Sequence, residues 1–169
     1  QLLTNVRSGN CTQNCAYCAQ SRDSEAPIEK YRYVEDKKLY GDNDLVDEFH
    51  LSRHCIGLSG IRFADSDIES LAERIRKMKK NDTQICCSIG FLTEHQAQIL
   101  KDAGLNRINH NLNSSSRFYP SICTTHTYQE RIDNIKMLKR IGFEICSGGI
   151  IGMGETKEDV VDMLFELKE

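Results

Sequence analysis

Three cysteines near the start of the chain are the residues best suited to chemistry. Cys11, Cys15 and Cys18 are spaced Cys-x3-Cys-x2-Cys in a short loop after a small apolar run. Thiolates this close together are typical ligands of soft metals and iron–sulfur clusters. A structural zinc site or a fully protein-bound cubane takes four protein ligands, so three thiolates leave one metal position open. Tyr17, between the last two cysteines, would add an aromatic ring beside such a centre.

Two other uses of these cysteines are possible. Cys15 and Cys18 could belong to a zinc knuckle with a distant partner, or the cysteines could form disulfides. A disulfide framework is typical of secreted chains, and no signal peptide is visible. Eight cysteines without such a signal predict a reducing compartment, where thiols serve metals or catalysis.

Composition limits the classes of function. With 169 residues, of which 39% are hydrophobic, the chain is predicted to form one domain over residues 1–169. The net charge of -3 provides no basic face for nucleic acid. No apolar run approaches the roughly 20 residues that span a bilayer. These features favour small-molecule chemistry.

Segments with strand and helix patterns alternate five times along the chain. Strands are predicted over residues 2–6, 53–58, 83–90, 107–111 and 144–151. Helices are predicted over residues 44–49, 65–80, 94–103, 128–141 and after Thr156. Residues 20–38 and 112–126 are predicted to be irregular. The chain opens inside a strand and ends in a charged helix, which suggests a piece of a longer protein.

Several residues predict where the helices begin and end. Asp65 is a candidate N-cap, Thr93 and Thr127 each begin a capping box, and Thr156 is expected to cap the last helix. Helices are expected to stop at Gly104 and Gly142. The last helix is predicted to bury one face, formed by Val160, Met163, Leu164 and Leu167.

Alternating strands and helices predict βα units and an α/β fold with a parallel sheet. In such sheets, functional residues gather at the carboxyl ends of the strands. A complete (β/α)8 TIM-type barrel needs about 250 residues, so five units favour a truncated barrel. The alternative is an open, partial sheet that is complete in itself.

Three further cysteines, Cys55, Cys86 and Cys146, lie on separate predicted strands. Each alone is best explained as a small buried hydrophobic residue. If all three point into the barrel, however, they converge and could hold a second cluster. Cys87 would then point to the opposite face of its strand. No partner is predicted for Cys123.

The spacing of Cys11, Cys15 and Cys18, together with Tyr17, resembles the signature of radical S-adenosylmethionine (SAM) enzymes. This resemblance implies a [4Fe–4S] cluster on these three cysteines, which act as catalytic and metal-binding residues. It also implies SAM, whose amino and carboxylate groups bind the fourth iron.

Longer segments resemble the biotin synthase family within that superfamily. They are NCTQNCAYCAQS from Asn10, NHNL from Asn109, FYP from Phe118, TTHTYQER from Thr124 and CSGGIIGMGET from Cys146. The resemblance implies that Cys55, Cys86 and Cys146 hold an auxiliary iron–sulfur cluster, a [2Fe–2S] centre in the familiar enzymes, which donates sulfur. In that family a fourth, arginine ligand comes from a later strand.

The same resemblance implies residues that bind SAM and dethiobiotin. They are Tyr17, Asn109, Asn111, Asn113, Gly148, Gly149, Ile150, Gly152 and Glu155. Asn111 is the best single candidate of the asparagines. Asn113 stands where the family usually has aspartate, and an amide accepts one bond and donates another instead of accepting two. The adjacent Cys86 and Cys87 are also atypical, which leaves the identity of the binding thiol open.

The resemblance implies radical SAM sulfur insertion that converts dethiobiotin to biotin. It also implies an electron donor such as flavodoxin or ferredoxin, a homodimer, and a bacterial cytoplasmic or a mitochondrial location. One alternative is another radical SAM enzyme, of the hydrogenase-maturase or mutase type. The other is a non-catalytic metal-binding module. His50, His54, His95 and His110 are predicted to be structural, because none has metal-ligand spacing.

Overall fold

A computed structural model describes residues 1–79 and 83–168 of the chain. The strands are β1 Leu2–Arg7, β2 His54–Leu58, β3 Ile85–Ser88, β4 Arg107–Asn109 and β5 Glu144–Cys146. The helices are α1 Asp36–Glu48, α2 Asp65–Met78, α3 Glu94–Asp102, α4 Tyr119–Ile122, α5 Tyr128–Ile141 and α6 Lys157–Lys168. Strand and helix alternate as predicted, and the predicted Lys80 at the end of α2 lies outside the described residues.

The five strands form one parallel sheet in the order β1-β2-β3-β4-β5. Each strand pairs with the next strand in sequence through an intervening helical connection, which is the βα arrangement that the pattern predicts. The prediction of five βα units of a TIM-type fold is therefore confirmed. Strands β2 to β5 are shorter than predicted, whereas β1 extends one residue further, to Arg7.

The sheet buries one face against the helices. Val6, Ile56, Cys87 and Ile108 alternate onto this face and are fully buried in the core. Side chains such as Leu71 and Ile75 of α2 and Leu100 of α3 complete the core. Because side chains alternate along a strand, the residues between these positions face the opposite, inner side of the sheet.

Two helices differ from the prediction. Helix α1 begins at Asp36 rather than Asp44, because Leu39, Asn43 and Val46 recur at helical spacing and are buried despite the polar sequence. Helix α4 lies inside the segment predicted to be irregular, and its Tyr119 and Ile122 are buried.

The helix boundaries follow most of the predicted signals. Both capping boxes form at Thr93 and Thr127, and Gly142 ends α5 with φ of 92°. Asp65 is not an N-cap: Ala64 occupies that position, and the Asp65 carboxylate instead accepts a hydrogen bond from Gln96 of α3. Leu164 is 56% exposed, so its predicted burial on α6 is wrong.

Candidate active site at the carboxyl ends of the strands

The cysteine loop leaves β1 through a tight turn. Gly9 and Asn10 both have left-handed backbone, with φ of 72° and 54°, a conformation that glycine and asparagine tolerate best. The backbone N–H of Gly9 donates to Gln20 Oε1 at 2.6 Å, which closes the loop across its base. The sequence therefore directs the chain from the sheet edge into the loop that carries Cys11.

The segment between β4 and α5 supports the other side of this loop. The N–H of Ala16 donates to the carbonyl of Ile122 at 2.9 Å. Asn14 Oδ1 accepts from the N–H of Thr124 at 3.0 Å, and Asn14 Nδ2 donates to Thr124 Oγ1 at 2.7 Å. These contacts join two segments more than 100 residues apart in sequence, as the separation of 110 between Asn14 and Thr124 shows.

The three cysteines of the loop line one cavity of about 250 Å³. The cavity also contains residues from the ends of β2, β3 and β4. Of the predicted site residues, it is lined by Cys11, Cys15, Tyr17, Cys18, Asn109, Asn111 and Asn113. The expected gathering of polar groups at the carboxyl ends of the strands is thus observed.

The three loop thiols have an arrangement that suits a polynuclear cluster. In the described part of the chain, Cys11, Cys15 and Cys18 do not form a group of ligand atoms within 4.8 Å of one another, as a single bound ion would require. A cubane instead takes each thiolate on a different iron, so its ligands stand further apart. Three free thiols around one cavity are the donor set that a [4Fe–4S] cluster with one open iron requires.

Asn113 is held at a special backbone position. Its φ is 71°, its N–H donates to Gly148 O at 3.0 Å, and its carbonyl accepts from the N–H of Ile150 at 2.8 Å. Its side-chain amide donates to the Tyr17 hydroxyl at 2.6 Å. Asn113 thus joins the cysteine loop to the loops that follow β4 and β5.

Arg131 of α5 is a site residue that the sequence reasoning missed. Its guanidinium lines the cavity although only 8% of the residue is exposed. Nη1 donates to the carbonyl of Asn111 at 3.0 Å, and Nε donates to the Tyr119 hydroxyl. The only signal in the sequence was its place in the TTHTYQER segment. Its buried positive charge favours anionic groups nearby.

The glycine-rich loop after β5 lies outside the lining of this cavity. Gly148, Gly149, Ile150, Gly152 and Glu155 do not line it, and Ile150 is partly exposed. A Cβ on Gly149 would overlap the Met163 sulfur, so a larger residue here would displace that side chain of α6. Glu155 accepts hydrogen bonds from the N–H groups of Gly152 and Met153, at 2.6 and 2.7 Å, which fixes the turn.

Asp159 anchors this loop to the loop after β4. It is buried, and its carboxylate accepts a hydrogen bond from Ser115 Oγ at 2.6 Å. The predicted cap Thr156 is confirmed, since its hydroxyl accepts from the Asp159 N–H at 3.2 Å. Hydrogen bonds from Ser115 and Thr156 hold the pKa of Asp159 well below its usual range.

The strand cysteines share the inner face of the sheet. In the register, Cys55 lies beside Cys86, and Cys86 lies beside Arg107. Cys146 pairs with Asn109, two residues further along β4 and nearer the carboxyl end. Cys87 lies on the opposite face in the core, as alternation predicted. Burial, followed by the neighbouring Cys55 and Cys146 thiols, raises the pKa of Cys86 to about 12.

Three charged residues lie near these thiols, and none of them was predicted from the sequence to be a site residue. Arg107 and Glu144 are paired in register, and Arg107 Nη2 donates to Glu144 Oε2 at 2.6 Å. Arg53, which precedes β2, lies 3.8 Å from the same carboxylate and lowers the pKa of Cys86 against the larger effect of burial. Positive charge near the thiols favours their ionised forms.

The described histidines occupy different environments: His54 lies in the core, whereas His110 and His126 line the cavity. His54 is buried between Thr4 and Asn43. His110 lines the cavity, forms a backbone hydrogen bond with Ile89, and has no hydrogen-bond partner at Nε2 among the described residues. Burial lowers the pKa of His110 to about 3. His126, which the sequence reasoning did not single out, also lines the cavity, and burial lowers its pKa to about 4.

None of the helices formed by residues 1–79 and 83–168 combines the length and hydrophobicity needed to cross a membrane.

Residues 5–167 match the Radical SAM superfamily. The biotin synthase of Bacillus cytotoxicus is 41% identical over 168 residues, which are 99% of this chain and 51% of that protein. The biotin synthase of Halalkalibacterium halodurans is 41% identical over 169 residues, with coverage of 99% and 51%. The chain therefore spans about half the length of the curated relatives it matches.

Solved structures share the fold at low sequence identity. Methylornithine synthase (PylB) matches with a TM-score of 0.82 and 15% identity, over 98% of this chain and 49% of that one. HydG, a maturase of the [FeFe]-hydrogenase, matches with a TM-score of 0.78 and 16% identity, over 99% of this chain and 38% of that one. The native anSMEcpe structure with bound AdoMet matches with a TM-score of 0.70 and 16% identity, over 99% of this chain and 48% of that one.

Proposed function

Because this chain belongs to the radical SAM superfamily, we propose that it is part of a biotin synthase that converts dethiobiotin to biotin. Superfamily membership implies a [4Fe–4S] cluster and SAM. The observation that carries the narrower proposal is the position of Cys55, Cys86 and Cys146 on the inner face of the same sheet whose strand ends carry the cysteine loop. The identity of about 41% to biotin synthases supports it further.

In this proposal Cys11, Cys15 and Cys18 hold the [4Fe–4S] cluster, and Cys55, Cys86 and Cys146 hold the auxiliary cluster. When bound, the first cluster and SAM supply reductive cleavage and hydrogen abstraction, and the auxiliary cluster supplies sulfur. The chain's own residues bind these groups, orient them and keep water out.

The asparagines after β4 are suited to orienting polar ligands. Asn111 and Asn113 line the cavity; Arg131 donates to the backbone carbonyl of Asn111, and the Tyr17 hydroxyl accepts from the side-chain amide of Asn113. An amide offers both a donor and an acceptor, so these side chains can bind hydroxyl and ureido groups at the cavity wall. Preorganised partners of this kind reduce the cost of ordering a bound ligand.

The arrangement also supports a substrate position between the two sets of thiols. Asn109 lines the cavity and is paired in register with Cys146 on the inner face. A small molecule bound beside Asn109 would therefore lie between the cysteine loop and the strand cysteines. We assign dethiobiotin to this position and a small protein reductant to the role of electron donor.

The test uses the full-length protein, reconstituted with iron and sulfide under anaerobic conditions and supplied with SAM, dethiobiotin and a reductant. Biotin should form together with methionine and 5′-deoxyadenosine, and the protein should contain the iron and sulfide of two clusters. Cleavage of SAM without biotin, in protein with only one cluster, would instead assign another radical SAM reaction. Metal binding without SAM cleavage would assign a binding module.

A further inference from the structure

Cys123 lies against one of the three loop cysteines, although the proposed function gives it no role. Its sulfur is 3.7 Å from the sulfur of Cys15, and both residues are buried, at 3% and 8% exposure. Among the described residues, no comparable contact joins the Cys15 sulfur to that of Cys11 or Cys18. The thiol that lies closest to the Cys15 thiol is therefore that of Cys123, which belongs to a different loop.

The position of the Cys123 sulfur is fixed by its surroundings. Thr125 Oγ1 lies 3.6 Å from it and His126 Nδ1 lies 3.4 Å from it. The two segments that carry Cys15 and Cys123 are joined by the Ala16 to Ile122 backbone hydrogen bond of 2.9 Å. The two sulfurs are therefore held opposite each other by contacts on both sides.

Cys15, Cys123 and His126 also lie within 4.8 Å of one another, a spacing that a metal ion could use. The hydrogen bonds of His126 oppose this. Its Nε2 lies 3.0 Å from the Arg131 guanidinium, which can only donate, and its Nδ1 lies 2.8 Å from Gln13 Oε1, which can only accept. Both ring nitrogens are engaged, and a buried guanidinium beside the site repels a cation.

We propose that Cys15 and Cys123 form a reversible disulfide when the protein holds no cluster. The two thiols lose two protons and two electrons and gain one S–S bond, while a low-molecular-weight disulfide such as oxidised glutathione is reduced to two thiols. The sulfurs need to approach by roughly 1.7 Å to reach the ~2.05 Å of a disulfide. The bond withdraws Cys15 from the metal-binding set, so the loop cannot load a cluster until a thiol reduces it.

The experiment treats cluster-free, full-length protein with oxidised glutathione, blocks free thiols with N-ethylmaleimide and digests it without reduction. Mass spectrometry should find the Cys15 peptide joined to the Cys123 peptide, and dithiothreitol should separate them. Linkage of Cys15 to Cys11 or Cys18, a lasting mixed disulfide with glutathione, or alkylation of both Cys15 and Cys123 would each overturn the proposal.

A variant pair gives a second readout. After the glutathione treatment, wild-type protein and the control Cys87→Ala should each lose at least about half of their iron uptake, and dithiothreitol should restore it. Cys123→Ala should keep its iron uptake after the same treatment; loss equal to that of the wild type would contradict the proposal. If Cys123→Ala does not fold, the peptide mapping of the wild-type protein alone tests whether Cys15 and Cys123 form the disulfide. Reduced wild-type protein should load its clusters in either case, so the outcome is independent of the test for biotin formation.

Discussion

The side-chain amide of Asn113 donates a hydrogen bond of 2.6 Å to the hydroxyl of Tyr17. Asn113 follows β4 and Tyr17 lies between two cysteines of the loop after β1, so the contact spans 96 positions in sequence. It joins the segment proposed to bind SAM to the loop proposed to bind the cluster. Asparagine, unlike aspartate, can donate to a neutral hydroxyl, which gives this residue type a physical role here.

Tyr17→Phe should therefore weaken SAM binding while leaving the cluster in place. Loss of one hydrogen bond costs about 1 kcal/mol, or about fivefold in Kd. SAM affinity can be measured by equilibrium dialysis on reconstituted full-length protein, with iron content as the check on the cluster. Tyr33→Phe removes a hydroxyl that contacts Asp67 on α2 and serves as the control. Equal affinities for Tyr17→Phe and the wild type would show that this bond does not position Asn113 for SAM.

Replacing Cys11, Cys15 or Cys18 singly by Ala should abolish reductive SAM cleavage. Two thiolates hold a cubane poorly, so iron and sulfide should fall by about one cluster in each variant. The release of methionine and 5′-deoxyadenosine is the direct measurement. Release at the wild-type rate from Cys15→Ala would refute the assignment of the loop.

Cys86→Ala should separate SAM cleavage from sulfur insertion. The loop cysteines are untouched, so SAM should still be cleaved, but biotin should not form and the iron and sulfide of one cluster should be lost. Cys87→Ala is the matched control, because this thiol packs in the core on the opposite face of the strand. Normal biotin formation by Cys86→Ala together with its loss in Cys87→Ala would reverse the assignment.

Asp159→Ala should loosen the loops after β4 and β5 together. The substitution removes the acceptor for Ser115, Arg117 and Thr156, at 2.6, 3.0 and 2.7 Å. Thermal stability should fall, and SAM affinity should weaken severalfold because the loop that carries Asn113 loses its anchor. Glu158→Ala, at the exposed neighbouring position on α6, is the control. A melting temperature and a SAM affinity equal to those of Glu158→Ala would argue against this role.

The cluster-free protein should lose stability as the pH falls below 6.5. His110 and His126 are buried, and their pKa values are lowered to about 3 and about 4. Between pH 6.5 and these values the unfolded chain therefore binds more protons than the folded chain. As a result, the free energy of unfolding decreases as the pH falls. The slope is at most about 1.4 kcal/mol per pH unit for each group.

Urea denaturation of the full-length protein between pH 7 and about 5 measures this slope. His110→Gln should reduce it, whereas His95→Gln, which changes an exposed histidine on α3, should leave it unchanged. A slope in His110→Gln equal to that of the wild type would show that this histidine does not contribute.

The sequence determined the order of elements and the position of the cysteine loop. The reason is that these signals are local: the capping boxes at Thr93 and Thr127, the glycine at 142 and the strand alternation that separates Cys86 from Cys87 depend on neighbours a few residues away. Where local signals were weak, prediction failed. Helix α1 begins eight residues before the predicted position, because its polar sequence hides the buried residues Leu39 and Val46.

Only the tertiary structure decided which distant side chains meet. Nothing local indicates that Asn113 contacts Tyr17, that Asp159 accepts from Ser115, or that Arg131 lies at the cavity. These contacts arise because parallel strands bring the loops at their carboxyl ends together, so loops far apart in sequence become neighbours. The same packing set Cys123 against Cys15, a pairing that spacing along the chain could not predict.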